Sequence, residues 1–140
     1  MEKFSAFIAQ HLGLFYLLST TLVALMVVEF IRSRRTQHVV GTKDAILLIN
    51  RKNAVVIDIR ANENYKSGHI VDAISAPLPE WNEKTKKLDK YKNKPLIVVC
   101  NTGVDSQKTA ASLSKQGYTV YALAGGMRAW TSAELPLVKE

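Results

Sequence analysis

The chain has one cysteine, Cys100, among 140 residues. A lone cysteine excludes an intramolecular disulfide, and a single free thiol suits a reducing compartment. The three histidines, His11, His38 and His69, are widely scattered, and none stands with cysteine at zinc-ligand spacing. No metal site is therefore expected. There is no helix-turn-helix spacing, no zinc-finger pattern and no aromatic RNA-binding strand, so nucleic acid is not an expected partner. No internal repeat or low-complexity tract is present. Charge is missing from one long stretch: from Phe4 to Val28, 25 residues, there is no Asp, Glu, Lys or Arg.

That uncharged stretch predicts a membrane anchor. From Leu12 to Ile31 apolar residues fall on every face of a helix. Twenty residues at about 1.5 Å rise reach roughly 30 Å, the thickness of a bilayer's hydrocarbon core. A helix apolar all round is either a membrane span or the centre of a large core, and the roughly 100 residues that follow cannot wrap one. A cleaved signal peptide has a positive leading flank and a small-x-small cleavage site. Here Glu2-Lys3 is near neutral, and Ala24 to Phe30 offers no such site. The positive cluster Arg32-Ser33-Arg34-Arg35 instead follows the apolar run. Positive flanks stay inside. The expectation is a single-pass protein of the inner (plasma) membrane, with its N-terminus outside and its C-terminal domain cytoplasmic. Residues 1–35 read as anchor and basic flank, 36–41 as a linker and 42–140 as the soluble domain.

The net charge is +7, of which +5 lies beyond residue 40. A basic chain can meet nucleic acid, anionic lipid or anionic small molecules; the membrane explains the bias most economically. Lys84, Lys86, Lys87, Lys90, Lys92 and Lys94 form a basic tract that reads as a solvated helix face, with anionic lipid or an acidic partner as the alternative.

The soluble part alternates strand and helix signals. Thr42 is the expected N-cap of a short apolar helix over 45–49, followed by a turn at 50–53. Residues 54–58 are a β-branched run and read as a buried strand. Polar residues 61–68 end at Gly68. A second, shorter strand over 70–76 stops at Pro77 and Pro79. Residues 80–92 are partly helical, and 95–99 is the strongest strand in the chain. Residues 106–116 form an amphipathic helix with Ala110 and Leu113 inward. A strand at 118–123, a turn at Gly125-Gly126 and a helix at 127–133 follow. This alternation predicts an α/β domain with a mainly parallel sheet, whose chemistry sits at the carboxyl ends of strands.

Cys100 lies at such an end. Cys100-Asn101-Thr102-Gly103-Val104-Asp105-Ser106 joins the best strand to the best helix. Loop amides and a helix N-terminus form a nest for an anion, here a thiolate or a persulfide. Such a nest lowers a thiol's pKa and so supplies the nucleophile. The competing reading is a buried structural cysteine, which the strand–Cys–Gly–helix context disfavours.

Cys100-x-x-Gly103-x-x-Ser106 resembles the active-site loop of the rhodanese-like family, and three further segments match in family order. Asp58-Ile59-Arg60 resembles its Asp-x-Arg. Residues 68–77, Gly-His-Ile-Val-Asp-Ala-Ile-Ser-Ala-Pro, are similar to its upstream signature. Gly125-Gly126-Met127-Arg128-Ala129-Trp130, then Leu135-Pro136, is similar to its C-terminal signature. Together they cover residues 42–138, and the chain looks like a single-domain, membrane-anchored rhodanese of bacterial type. The resemblance implies a five-stranded parallel sheet flanked by helices, preceded here by one transmembrane helix. It also implies a sulfurtransferase that passes sulfane sulfur through a persulfide on Cys100, from a small donor to a thiol or protein acceptor. Backbone amides of Asn101, Thr102, Gly103, Val104, Asp105 and Ser106 would hold the charge, with no metal or organic cofactor. Asp58, Arg60, Gly68, His69, Gly125, Gly126 and Trp130 read as architecture: His69 fixes a turn, Arg60 pairs with a carboxylate or backbone group, and Trp130 packs core.

Two departures qualify the substrate. Thiosulfate-using members of the family often carry arginine at the positions of Asn101 and Asp105, and neither is basic here. Asp105 either opposes an incoming anion or caps the following helix; Lys108 offers partial compensation. Related phosphatases and arsenate reductases want Arg six residues after Cys, where this chain has Ser106. The rival to an enzyme is an interaction module that keeps the fold to dock a membrane or envelope protein.

Overall fold

The computed structural model describes residues 6–7, 9–36 and 38–140. The chain divides into two compact units, Met1–Gln37 and His38–Glu140.

The first unit holds helix α1, Leu12–Thr36. Its segment Leu12–Ser33 has a mean hydropathy of 2.1, and none of it is buried. By length and composition this helix can cross a membrane. Three of its hydroxyls are satisfied along the helix. The hydroxyls of Ser19, Thr20 and Thr21 donate back to the carbonyls of Tyr16 and Leu17 at 2.7–3.0 Å. Hydroxyls bonded this way expose no free donor to an apolar surround.

The second unit is an α/β domain. Its order is β1 (Val39–Val40), α2 (Thr42–Lys52), β2 (Val55–Asp58), α3 (Asn62–Ser67), β3 (Ile74–Ser75), α4 (Trp81–Leu88), β4 (Leu96–Val99), α5 (Val104–Lys115), β5 (Val120–Leu123) and α6 (Gly126–Ser132). Short 3-10 turns at Leu78–Glu80 and Asp89–Tyr91 flank α4. The five strands form one sheet in the order β1-β5-β4-β2-β3, parallel throughout.

β4 is the middle strand, and every residue of Leu96-Ile97-Val98-Val99 is buried. A parallel strand covered on both faces needs such an unbroken apolar run. Because successive side chains alternate, the strand feeds two cores. Leu96, Val98 and Cys100 join Leu88, Ala110 and Leu113 on the face of α4 and α5. Ile97 and Val99 join Ala45, Met127 and Trp130 on the face of α2 and α6. Each fully buried Leu or Ile contributes about 1.5–3 kcal/mol. The alternation that buries Leu96 and Val98 therefore aims Cys100 toward α5.

The connections set the site's place. From β2 the chain crosses outward through α3 to β3, and from β4 it crosses the other way through α5 to β5. Right-handed crossovers running in opposite directions must use opposite faces. A crevice opens at the carboxyl ends of β2 and β4, where the direction reverses. Ile59 N–H donates to Val99 O at 3.0 Å, which brings the end of β2 beside the start of the cysteine loop.

Several expected boundaries shift. Val39-Val40, read as linker, forms the edge strand β1 paired to Ala122 and Leu123. Gly41, not Thr42, caps α2, which runs on through the expected turn to Lys52 and ends at Asn53 in the left-handed region. The strand expected over 70–76 contracts to Ile74–Ser75. Asp72 has φ 60°, and the peptide turns there before the strand begins. α5 starts at Val104, two residues before the expected Ser106.

Candidate functional site

Cys100 is the first residue beyond β4 and is 5 % exposed. The loop that follows folds back on its sulfur. Gly103 N–H donates to Cys100 Sγ at 3.0 Å. The thiol contacts Ser106 Oγ at 3.5 Å, and Ser106 Oγ donates to Gly103 O at 3.0 Å. Ser106 is fully buried. Gly103 holds φ 92°, in the left-handed region. A Cβ there would stand 3.1 Å from both Gly125 N and Leu123 O, so the turn admits glycine and resists anything larger.

Two opposed effects act on the thiol. Burial pushes its pKa up. The Ser106 hydroxyl and the amides of Ser106, Gly103 and Thr102 pull it down, and the balance lies below the ordinary cysteine value. The lowering comes from hydrogen bonds to the charged form, and no described histidine or lysine bonds to the sulfur. Three of the six loop amides expected to hold the charge, those of Thr102, Gly103 and Ser106, take part in this lowering.

The loop is clamped from behind by the turn into α6. Met127 N–H donates to Cys100 O at 2.8 Å, and Arg128 N–H donates to Asn101 O at 3.2 Å. Gly126 sits so close that a Cβ would overlap Cys100 O and lie 2.8 Å from the Asn101 carbonyl carbon. The Gly125-Gly126 turn thus packs directly against the cysteine loop.

In front of Cys100 is a cavity of about 450 Å³. One wall is apolar, from Ile59, Pro77, Leu78 and Pro79; the rest of the lining is Arg60, Ala61, Asn62, Glu80, Asn101, Thr102 and Asp105, with Cys100 itself. Sequence reading treats Pro77 and Pro79 as strand-enders, and Pro77 also as the last residue of the upstream signature. The signal it overlooks is two prolines bracketing Leu78, which stiffen a turn and hold that side chain out, 45 % exposed.

The other signature residues lie around this cavity in supporting positions. Asp58 is buried and takes Arg60 Nη2 at 2.6 Å and Nε at 2.9–3.0 Å. Arg60 Nη2 also donates to Gly68 O at 2.8 Å, tying β2 to the turn before β3. His69 stacks on Tyr65 at 3.8 Å between ring centroids, and its Nδ1 bonds Tyr65 O at 2.9 Å. Its backbone exchanges hydrogen bonds with Val138, so it pins the C-terminal tail and lines no part of the cavity. Trp130 is buried and donates Nε1–H to Pro136 O at 3.2 Å.

Asp105 requires a correction. It does not cap α5: Gly103 holds the N-cap place without a side-chain cap bond, and Asp105 stands exposed in the first turn, lining the cavity. Lys108 lies farther along α5 and does not line it. Lys86, Lys87, Lys90, Lys92 and Lys94 are exposed, whereas Lys84 pairs with Glu80 at 3.1 Å and donates to Ser75 O at 3.0 Å. Among the described residues no group of His, Cys, Asp and Glu could hold a metal ion.

Comparison with known proteins agrees with this architecture. Residues 42–133 match the family model of the rhodanese-like domain. The uncharacterized protein YibN of Escherichia coli K12 is 33 % identical over 99 % of both chains. The thiosulfate sulfurtransferase GlpE of Coxiella burnetii is 34 % identical over 59 % of this chain and 77 % of its own length. Among solved structures, a rhodanese-related protein from Thermoplasma volcanium superposes with a TM-score of 0.66 at 29 % identity, covering 74 % of this chain and 99 % of that one.

Proposed function

The chain belongs to the rhodanese-like domain family, a family of sulfurtransferase type, and from that premise we propose a membrane-tethered sulfurtransferase working through a persulfide on Cys100. The observation that carries this reading is the thiol's setting. A cysteine with lowered pKa faces a cavity of about 450 Å³ and is ringed by amide donors. Thiolate is the attacking species, and it meets the outer sulfur of a donor with no base needed at that moment. The Cys100–sulfur bond forms as the donor's bond to that sulfur breaks, and the leaving group departs with the electron pair. The amides of Thr102, Gly103 and Ser106 then face a terminal sulfur anion in place of the thiolate. In the second step an acceptor thiolate attacks that sulfur, and Cys100 departs as thiolate into the same donors.

Arg60, committed to Asp58 and Gly68, orients the loop's surroundings and brings no free cation to the donor. No metal or organic cofactor has a part in these steps. The acceptor is a small thiol or a protein thiol, since the chain has no second cysteine to resolve the persulfide.

The tether is α1. Its length, its exposed apolar surface and its internally bonded hydroxyls favour a span, and the arginines from Arg32 onward favour a cytoplasmic domain. The test is cyanolysis of the full chain after donor treatment: wild type should release thiocyanate in proportion to protein, and Cys100→Ser should release none. Equal release from both would overturn the assignment of Cys100. The second reading, an interaction module that docks a membrane or envelope protein, draws on the exposed, non-basic Asn101 and Asp105 in the loop.

A further inference from the structure

The charge around the cavity points to a class of donor. Among the described residues that line it, the one cation, Arg60, is already committed. The Arg60 side chain is 8 % exposed, with Nε and Nη2 both spent on Asp58 and Nη2 shared with Gly68 O. Lys84 is held by Glu80 and Ser75 O and does not line the cavity. Asp105, by contrast, is exposed at the mouth with no described cation within ion-pair distance. Glu80 supplies a second carboxylate, half-exposed. The remaining wall, Ile59, Pro77, Leu78 and Pro79, suits a hydrocarbon chain rather than an inorganic anion.

We propose that Asp105 is a specificity-determining residue and that the sulfur donor is an organic hydropersulfide, R–S–SH, whose R group carries a positive charge. This rests on the persulfide reading of Cys100. In the step, Cys100 thiolate attacks the terminal sulfur of R–S–SH. The new Cys100–sulfur bond forms, the R–S–S bond breaks, and RS⁻ leaves with the electron pair. The products are Cys100–S–SH and a thiolate that takes its proton from water. Sulfane sulfur passes from one thiol to another, and no outside oxidant or reductant is consumed. A cation on R comes to rest near Asp105 while its carbon chain lies on the proline wall. A dianion such as thiosulfate meets the carboxylate head-on.

At a separation of about 6 Å, one carboxylate alters the rate for a singly charged donor, relative to a neutral one, by roughly threefold at water's dielectric constant. At an effective value of 20 the factor rises to about a hundredfold. The preference should also weaken as salt is added, because an exposed carboxylate is screened.

The experiment measures the second-order rate of sulfur loading on Cys100 by quenched-flow mass spectrometry of the full chain. Three two-carbon hydropersulfides are used, bearing an ammonium, a hydroxyl or a carboxylate, together with thiosulfate. The hydroxyl donor normalises for changes in thiolate reactivity. In wild type the ammonium donor should load at least about tenfold faster than the carboxylate donor. Asp105→Asn should shrink that ratio by threefold or more. Equal normalised rates for the two charged donors, or a ratio that Asp105→Asn leaves in place, would overturn the proposal while leaving sulfur transfer itself intact. If no donor, charged or neutral, loads sulfur on Cys100, the persulfide reading falls and this inference with it.

Discussion

Ser106→Ala isolates one source of thiolate stabilisation and has a calculable size. In the protonated site Cys100 donates to Ser106 Oγ at 3.5 Å, and Ser106 Oγ donates to Gly103 O at 3.0 Å. When the proton leaves sulfur, the hydroxyl must rotate to donate to Sγ. Gly103 O then keeps only Gln107 N–H, at 3.4 Å. A hydrogen bond to a charged group contributes about 1.5–3 kcal/mol, and the neutral one given up about 1, so the serine's net contribution is about 1 kcal/mol. Removing it should raise the thiol pKa and cut the thiolate fraction at a pH below that pKa by roughly fivefold. The amides of Ser106, Gly103 and Thr102 remain, so a depressed pKa should persist in part. The assay is the rate of iodoacetamide alkylation against pH, read beside thiolate absorbance. The profile of Ser106→Ala should move to higher pH and reach the same plateau. Stability should follow the same sign. The folded thiol releases its proton at lower pH than the unfolded one, so between those two pKa values the unfolded chain binds more protons. Stability therefore rises with pH across that window, and the gain is lost as pH falls through the folded pKa. Ser106→Ala should flatten that rise. Superimposable alkylation profiles for the two proteins would refute the hydrogen-bond account.

Four further outcomes follow from the same geometry. Gly126→Ala should destabilise the domain by about 2–3 kcal/mol in urea melts, since φ 57° and overlap with Cys100 O both oppose a side chain; a loss under 1 kcal/mol would show that the loop is not clamped there. Asp105→Arg should raise thiosulfate turnover by roughly tenfold, or about 1.4 kcal/mol in the barrier, and unchanged turnover would remove charge from the argument. Deleting residues 1–35 should leave a soluble domain that melts cooperatively, because both cores lie in His38–Glu140; a product that stays unfolded in the cold would make α1 part of the fold. A C-terminal phosphatase fusion that works only outside the cytoplasm should stay silent, and strong activity would reverse the proposed orientation.

Long-range order was legible wherever a segment carried its own pattern. β4 declares itself by four consecutive apolar residues, and α5 by the inward pair Ala110 and Leu113, both fully buried. The five-stranded sheet came from the family resemblance, because residue patterns mark only four strands. β1 is two residues long, and Val39-Val40 beside polar neighbours has no period to detect; only its pairing with β5 makes it a strand. The 70–76 segment misleads for the opposite reason. Its apolar residues Ile70 and Ala73 are buried on either side of an exposed turn at Val71-Asp72, which a strand pattern cannot distinguish from sheet. In the site, the place of Cys100 between β4 and α5 was readable because the strand and helix patterns that set it are local. The clamp by Met127 and Arg128 was not, since backbone amides leave no trace in residue type. Of the two readings of Asp105, the helix cap falls because Gly103, with no side chain to signal it, occupies that place.

The central claim is that Cys100 carries transferable sulfur, and intact-mass spectrometry of the full chain in detergent tests it most directly. After exposure to an organic hydropersulfide, wild type should gain one sulfur atom, localised to the peptide containing Cys100. An added acceptor thiol should remove it, and Cys100→Ser should gain none. A wild-type chain that shows a reactive thiolate by alkylation yet takes up no sulfur from any donor would contradict the claim and leave the fold as a docking module.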